Sequence, residues 1–105
     1  MTTLLDCLTR ARELVSNGWV QHNSVKIIEG KSHFCMTGAC FRASIEVSKT
    51  IFNDALGDRA VLALQQSLGQ GSVVSYNDTT GRTKAEVLAV FDKAIEREKA
   101  NAQTI

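Results

Sequence analysis

Apolar residues recur at steps of three and four along residues 3–17, where Leu4, Leu8, Ala11 and Val15 form a stripe widened by Leu5, Cys7 and Leu14. That period predicts an amphipathic helix. Thr2 or Thr3 can cap its start, and Asn17-Gly18 offers the left-handed residue that commonly closes a helix. The period then changes. Val25-Lys26-Ile27-Ile28 is rich in β-formers, Glu29-Gly30-Lys31 is a turn signal, and Ser32-His33-Phe34-Cys35 returns as a second extended piece. The pattern predicts a small β-hairpin. A two-stranded ribbon is marginal in water, so Val25, Ile27, Phe34 and Cys35 are expected to lean on the helices.

After Thr37-Gly38 the helical period resumes through Ala39, Cys40, Ala43, Ile45 and Val47. The small side chains on this second helix allow close backbone approach and mark it as the central one. Residues 50–69 read as mostly helical. Gly57-Asp58 is expected to interrupt them, with Asp58 capping a third helix that carries Val61, Leu62, Leu64 and Leu68. Gly69-Gln70-Gly71 ends it, and residues 72–82 form the longest connection. Thr83-Lys84-Ala85-Glu86 is a capping box, in which a hydroxyl and a carboxylate satisfy each other's backbone amides at a helix start. Val87, Val90, Phe91, Ala94 and Ile95 supply the buried stripe of the last helix. Residues from about 101 to 105 are polar and expected to fray. The fold class that follows is mainly α, with α+β as the alternative label: a compact bundle of about four helices carrying one small β-hairpin.

Composition narrows the picture. A chain of 105 residues is one domain by length, 44% apolar and 22% charged, which suits an ordinary globular core. Residues 1–50 carry six basic and four acidic side chains, and residues 51–105 carry six and seven. Neither half provides the broad positive field of a sequence-blind nucleic-acid binder, so nucleic acid is not expected as a direct ligand. No apolar run approaches the ~20 residues of a membrane span. Met1-Thr2-Thr3-Leu4-Leu5-Asp6 lacks the basic start of a signal peptide. Three cysteines, an odd and sparse set, suggest free thiols in a reducing cytoplasm, as in a bacterial cell or a phage-infected host.

Four segments carry a resemblance. They are Gly18-Trp19-Val20-Gln21, Phe34-Cys35-Met36-Thr37-Gly38-Ala39, Tyr76-Asn77-Asp78 with Gly81-Arg82-Thr83, and Glu86-Val87-Leu88-Ala89. In order and spacing the chain resembles a family of small uncharacterised proteins of bacteria and their phages. In that family a Trp-x-Gln element precedes a Cys-x-x-Gly-Ala helix start, and Trp-Asn-Asp…Gly-Arg-Thr precedes a final Glu-Val-Leu helix. Tyr76 stands here where the family usually shows Trp. The resemblance implies a single domain in a phage or bacterial setting, and it implies no activity.

Candidate chemistry is sparse. The Asn77–Thr83 loop reads structurally as turn residues plus a helix cap, with Arg82 paired to Asp78. Read functionally, Arg82 and free amides at a helix start could grip a phosphate or carboxylate. Cys35 precedes a helix start, where the dipole favours a thiolate. With Gln21 as an oxyanion donor and His22 or His33 nearby, it sketches a thiol enzyme. His22, His33, Cys35 and Cys40 lack paired metal-ligand spacing, so neither a metal nor another cofactor is expected. Gly69-x-Gly71 lacks the remaining parts of a phosphate-binding loop. Trp19 with Gln21 reads either as a core anchor or as a partner-facing hot spot.

The leading expectation is therefore a non-enzymatic intracellular binding protein, carried by a phage or mobile element. It would dock onto a host or bacterial protein, with inhibition of a host process or defence system as one outcome. Its binding residues would be Trp19, Gln21, Arg42, Tyr76, Asn77 and Arg82. The alternatives are sequestration of a small anionic ligand such as a nucleotide signal by Arg82, Arg42, Asn77 and Trp19, and thiol chemistry at Cys35.

Overall fold

The computed structural model describes residues 3–50 and 54–103, with side chains to Asn101. The first helix, α1, spans Leu4–Asn17. Thr3 caps it, and Asp6 reaches back to the Thr3 amide (3.1 Å) to complete a capping box that complements the one expected near residue 83. Cys7, Leu8, Ala11 and Val15 are its buried stripe. Gly18 ends α1 with an extended backbone (φ −173°) rather than a left-handed one. Glycine serves there for space: a Cβ on it would lie 2.7 Å from the Ser32 carbonyl oxygen of the hairpin.

Strands β1 (Val25–Ile28) and β2 (Lys31–Phe34) form the antiparallel hairpin, pairing Val25 with Phe34 and Ile28 with Lys31. Glu29 and Gly30 turn the chain with positive φ at both positions (51° and 78°), which matches the right-handed twist of the strands. A parallel bridge from Trp19 to Phe34 adds a third, minimal strand on the outer side of β2. Only the base of the ribbon rests on the helices. Phe34 and Cys35 are buried, whereas Val25 is 50% exposed and Ile27 69%, contrary to the inward packing expected of those two. Strand β2 lies against α1 and α2 and β1 is the outer strand, so the β1 side chains find little surface to cover.

Helix α2 (Met36–Ser48) follows directly and packs against α1, α3, α4 and β2 through Met36, Ala39, Cys40, Ala43 and Ser44. Helix α3 (Asp54–Leu68) runs unbroken through Gly57-Asp58, overturning the expected interruption. Gly57 is buried there because a Cβ would strike the Phe41 ring of α2. The glycine is a packing notch between two helices, not a stop. Residues 51–53 lie outside the described set.

The long connection at 72–82 holds a further short helix, α4 (Val73–Asp78), capped by Ser72, whose hydroxyl accepts from the Ser75 amide (3.0 Å). The described residues thus contain five helices rather than about four. The last helix, α5 (Lys84–Gln103), starts at the expected capping box. The Thr83 amide donates to Glu86 Oε1 (2.9 Å) and the Glu86 amide donates to Thr83 Oγ1 (3.2 Å). That contact, reinforced by Thr83 Oγ1 and Arg82, holds the Glu86 carboxyl below its ordinary pKa. Thr83→Ala should cost about 1 kcal/mol in urea denaturation, the usual worth of such a cap. Phe91 and Val87 on α5 are fully buried in one cluster with Leu8, Val15, Met36 and Leu64. Helix α5 runs to Gln103, and residues 104–105 of the expected fraying tail fall outside the described ones. No helix is long and apolar enough to cross a membrane, among the described residues.

Candidate functional site

Five of the six residues nominated as binding groups meet at one place. Helix α4 turns Val73 and Asn77, one helical turn apart, toward the interior. Asn77 is 1% exposed, and every hydrogen-bonding site of its amide is used. Its Oδ1 accepts from the Trp19 indole Nε1 (2.8 Å) and from the Met36 backbone amide at the start of α2 (3.1 Å). Its Nδ2 donates to the Val20 carbonyl (3.1 Å) and to Asp78 Oδ1 (2.9 Å). Gln21 continues the seam, donating from Nε2 to the carbonyls of Asn77 (3.0 Å) and Thr79 (2.9 Å). One buried amide therefore joins α4, the segment after α1, and α2.

Tyr76 and Arg82 flank this hub. The Arg82 guanidinium lies 3.6 Å over the Tyr76 ring, donates from Nε to the Tyr76 carbonyl (2.9 Å), and pairs with Glu86 (3.3 Å). The expected Arg82–Asp78 pair does not form, because Asp78 is taken elsewhere. Its Oδ1 accepts from the His22 amide (2.8 Å) as well as from Asn77. Those two donors, His22 first, hold the Asp78 carboxyl below its ordinary pKa. The contact also steadies His22 in a left-handed conformation (φ 68°).

Arg42 stands apart on the exposed side of α2, paired with Glu46 (3.2 Å). Of the groups expected to hold an anion, Arg82, Asn77 and Arg42 line three separate hollows. The two hollows of interest are neighbours, sharing Ser24 and Thr37. The smaller, roughly 140 Å³, is bounded by His22, Cys35, Thr37, Asn77 and Asp78. The larger, roughly 440 Å³, is a groove between the hairpin and α2 lined by Val25, Phe34, Phe41, Arg42 and Ile45.

The cysteines divide by place. Cys7 and Cys40 are wholly buried, the Cys7 Sγ directed at the Cys40 carbonyl (3.6 Å). Burial pushes the Cys7 thiol up to about 11 and raises the Cys40 thiol as well. Cys35 caps α2, its Sγ accepting from the Gly38 amide (3.3 Å) and touching Thr37 Oγ1 (3.2 Å). His33, the other imidazole considered for Cys35, bonds the Lys31 carbonyl instead (2.9 Å).

Sequence reasoning passed over two features of this region. Gly38 abuts Ser24 so closely that a Cβ there would enter the Ser24 carbonyl oxygen. The signal was present as the Cys35-x-x-Gly38-Ala39 run, but nothing local says that residue 24 is the neighbour. The exposure of Val25 and Ile27 was also missed: both share a face with buried Phe34, and nothing local says that the helices lie under β2 and not under β1.

The model of a family described as "Family of unknown function (DUF6197)" matches residues 1–97, and the chain belongs to that family. No curated protein and no solved structure matches it.

Proposed function

We propose that this member of DUF6197 is a non-enzymatic binding protein that docks onto another protein through the hairpin and the groove beside α2. One observation carries the reading: Val25 and Ile27 are 50% and 69% exposed on one face of the outer strand, and Ile28 is 41% exposed on its other face. Large apolar side chains gathered on an exposed rim are a common mark of interaction surfaces. The polar and aromatic groups first nominated for recognition support this by elimination. Trp19, Gln21 and Asn77 spend their hydrogen bonds on one another and on backbone, and Arg82 is stacked and paired. Arg42, at the edge of the groove, is the nominated residue that fits this surface. A phage or bacterial setting, and restraint of a host process as the outcome, belong to the same proposal.

The test is retention of a defined partner from lysate of cells that naturally carry the chain. A partner held by wild type and lost on Ile27→Asp with unchanged thermal melting supports docking here. A partner retained equally by both removes this surface from consideration.

A second reading, thiol chemistry, is favoured by the small hollow in which Cys35 shares walls with His22 and Asp78. His22 Nδ1 lies 3.8 Å from Asp78 Oδ2, so a carboxylate stands beside the imidazole. Timed iodoacetamide labelling of the native protein checks it by mass spectrometry. Cys35 should be modified well before Cys7 and Cys40, and its rate should drop in His22→Ala. Labelling of Cys35 as slow as that of the two core thiols ends the thiol reading.

A further inference from the structure

We infer that the docking surface works by strand addition: an extended segment of a partner, alternating apolar and acidic residues, pairs with the free edge of β1. This rests on the docking reading above and specifies its chemistry.

Hydrogen bonding identifies the edge. Phe34 directs its backbone away from β1, its amide donating to the Gly18 carbonyl (2.9 Å) and its carbonyl accepting from Val20 (3.1 Å). Val25, opposite Phe34, therefore belongs to a non-hydrogen-bonded pair, and so does Ile27 opposite Ser32, since the two pair types alternate in an antiparallel ladder. The amides and carbonyls of Val25 and Ile27 consequently point out of the hairpin on the side opposite the Trp19 segment. Among the described residues no hydrogen bond reaches them. The outer edge of β2 is covered at Phe34 by the Trp19 segment, and that of β1 is open along its length. An open edge offers donors and acceptors at the spacing another strand requires.

Side chains define the sequence that would suit it. Val25, Ile27, Ser32 and Phe34 share one face of the hairpin, continuous with the groove whose far wall is Phe41 and Ile45 of α2. Alternate residues of an added strand would fall beside that apolar face. The residues between them would fall beside Lys26 and Ile28, on the opposite face with Lys31 and His33. Lys26 and Lys31 carry the positive charge on that face, whereas Arg42 stands at the groove on the other face and is already paired with Glu46. Acidic residues at those intervening positions complement the edge. A second copy of β1 would fit less well. The β1 sequence Val25-Lys26-Ile27-Ile28 holds no acidic residue to set beside Lys26 of another copy.

The probe is an acetylated, amidated octapeptide alternating valine and glutamate, titrated into the full chain and followed by backbone amide spectra and hydrogen exchange. Saturable one-to-one binding with new exchange protection at the Val25 and Ile27 amides is expected. Ile27→Pro removes an outward donor while sparing the β2 ladder, and should weaken binding about tenfold, whereas Ile27→Val should not. Lys26→Glu, which leaves the backbone intact, should weaken the glutamate peptide and favour one carrying lysine in its place. Equal binding of both peptides to the wild type overturns the charge assignment. An amphipathic helical peptide that perturbs Phe41 and Ile45 without protecting Val25 and Ile27 overturns strand addition and leaves docking intact. Perturbation of the groove by none of these peptides removes both readings. Self-association of the chain by sedimentation, abolished by Ile27→Pro, would reassign the edge to a second copy.

Discussion

Asn77→Ala should lower unfolding free energy by about 3–5 kcal/mol, several times the effect of removing the Thr83 cap. The truncation orphans three groups at once: the Trp19 indole N–H, the Met36 amide and the Val20 carbonyl. A buried polar group left without a partner costs roughly 1–3 kcal/mol, and the Met36 amide is fully enclosed. Asn77→Asp should be nearly as damaging despite its identical shape. Its carboxylate could still accept from Trp19 and Met36, but it cannot donate to Val20 and would stand against the Asp78 carboxylate. Urea denaturation followed by Trp19 fluorescence measures both. A loss below about 1 kcal/mol for either variant would mean that water replaces the amide freely and that the seam does not tie α4 to the body.

Gly38→Ala should destabilise by about 2–4 kcal/mol, the reverse of what helix propensity predicts. Within a helix, alanine is favoured over glycine by roughly 1 kcal/mol. Gly38 lies in the first turn of α2, and its backbone does not require positive φ. The opposing factor is contact. The atom a Cβ would strike is the Ser24 carbonyl oxygen, held in place by the Cys35 amide (3.1 Å). Backbone cannot swing aside as a flexible side chain can, so the base of the hairpin must shift and that hydrogen bond lengthens. Gly81→Ala provides the comparison. Nothing lies within 4 Å of its Cβ position, so only the strain of φ 84° opposes the change, and the loss should be about 1 kcal/mol. Thermal melting ranks the two, and a Gly38→Ala protein as stable as wild type would show that residues 22–24 are loosely held.

Local patterning carried much of this architecture. The stripes of α1, α2 and α5, the hairpin with its Glu29-Gly30 turn, and the Thr83–Glu86 capping box are each specified by residues within a few positions of one another, and each formed. The site was legible in part. Trp19, Gln21, Tyr76, Asn77 and Arg82 stand close together, although their separation along the chain gave no sign that their polar atoms would bond inward.

By itself, then, the chain's order of residues determined the elements that short-range forces can close: helical faces, caps and a two-residue turn. Tertiary structure alone decided the remainder. Gly57 became a notch because Phe41 lies across it, Gly18 and Gly38 became points of close approach because Ser32 and Ser24 lie against them, and Val25 and Ile27 stayed exposed because the helices pack on β2 and leave β1 outermost. Propensity and period report what one segment prefers in isolation. Whether a glycine breaks a helix or admits a neighbour, and whether an apolar face is covered or presented, depends on atoms from distant parts of the chain, which only the folded arrangement brings into contact.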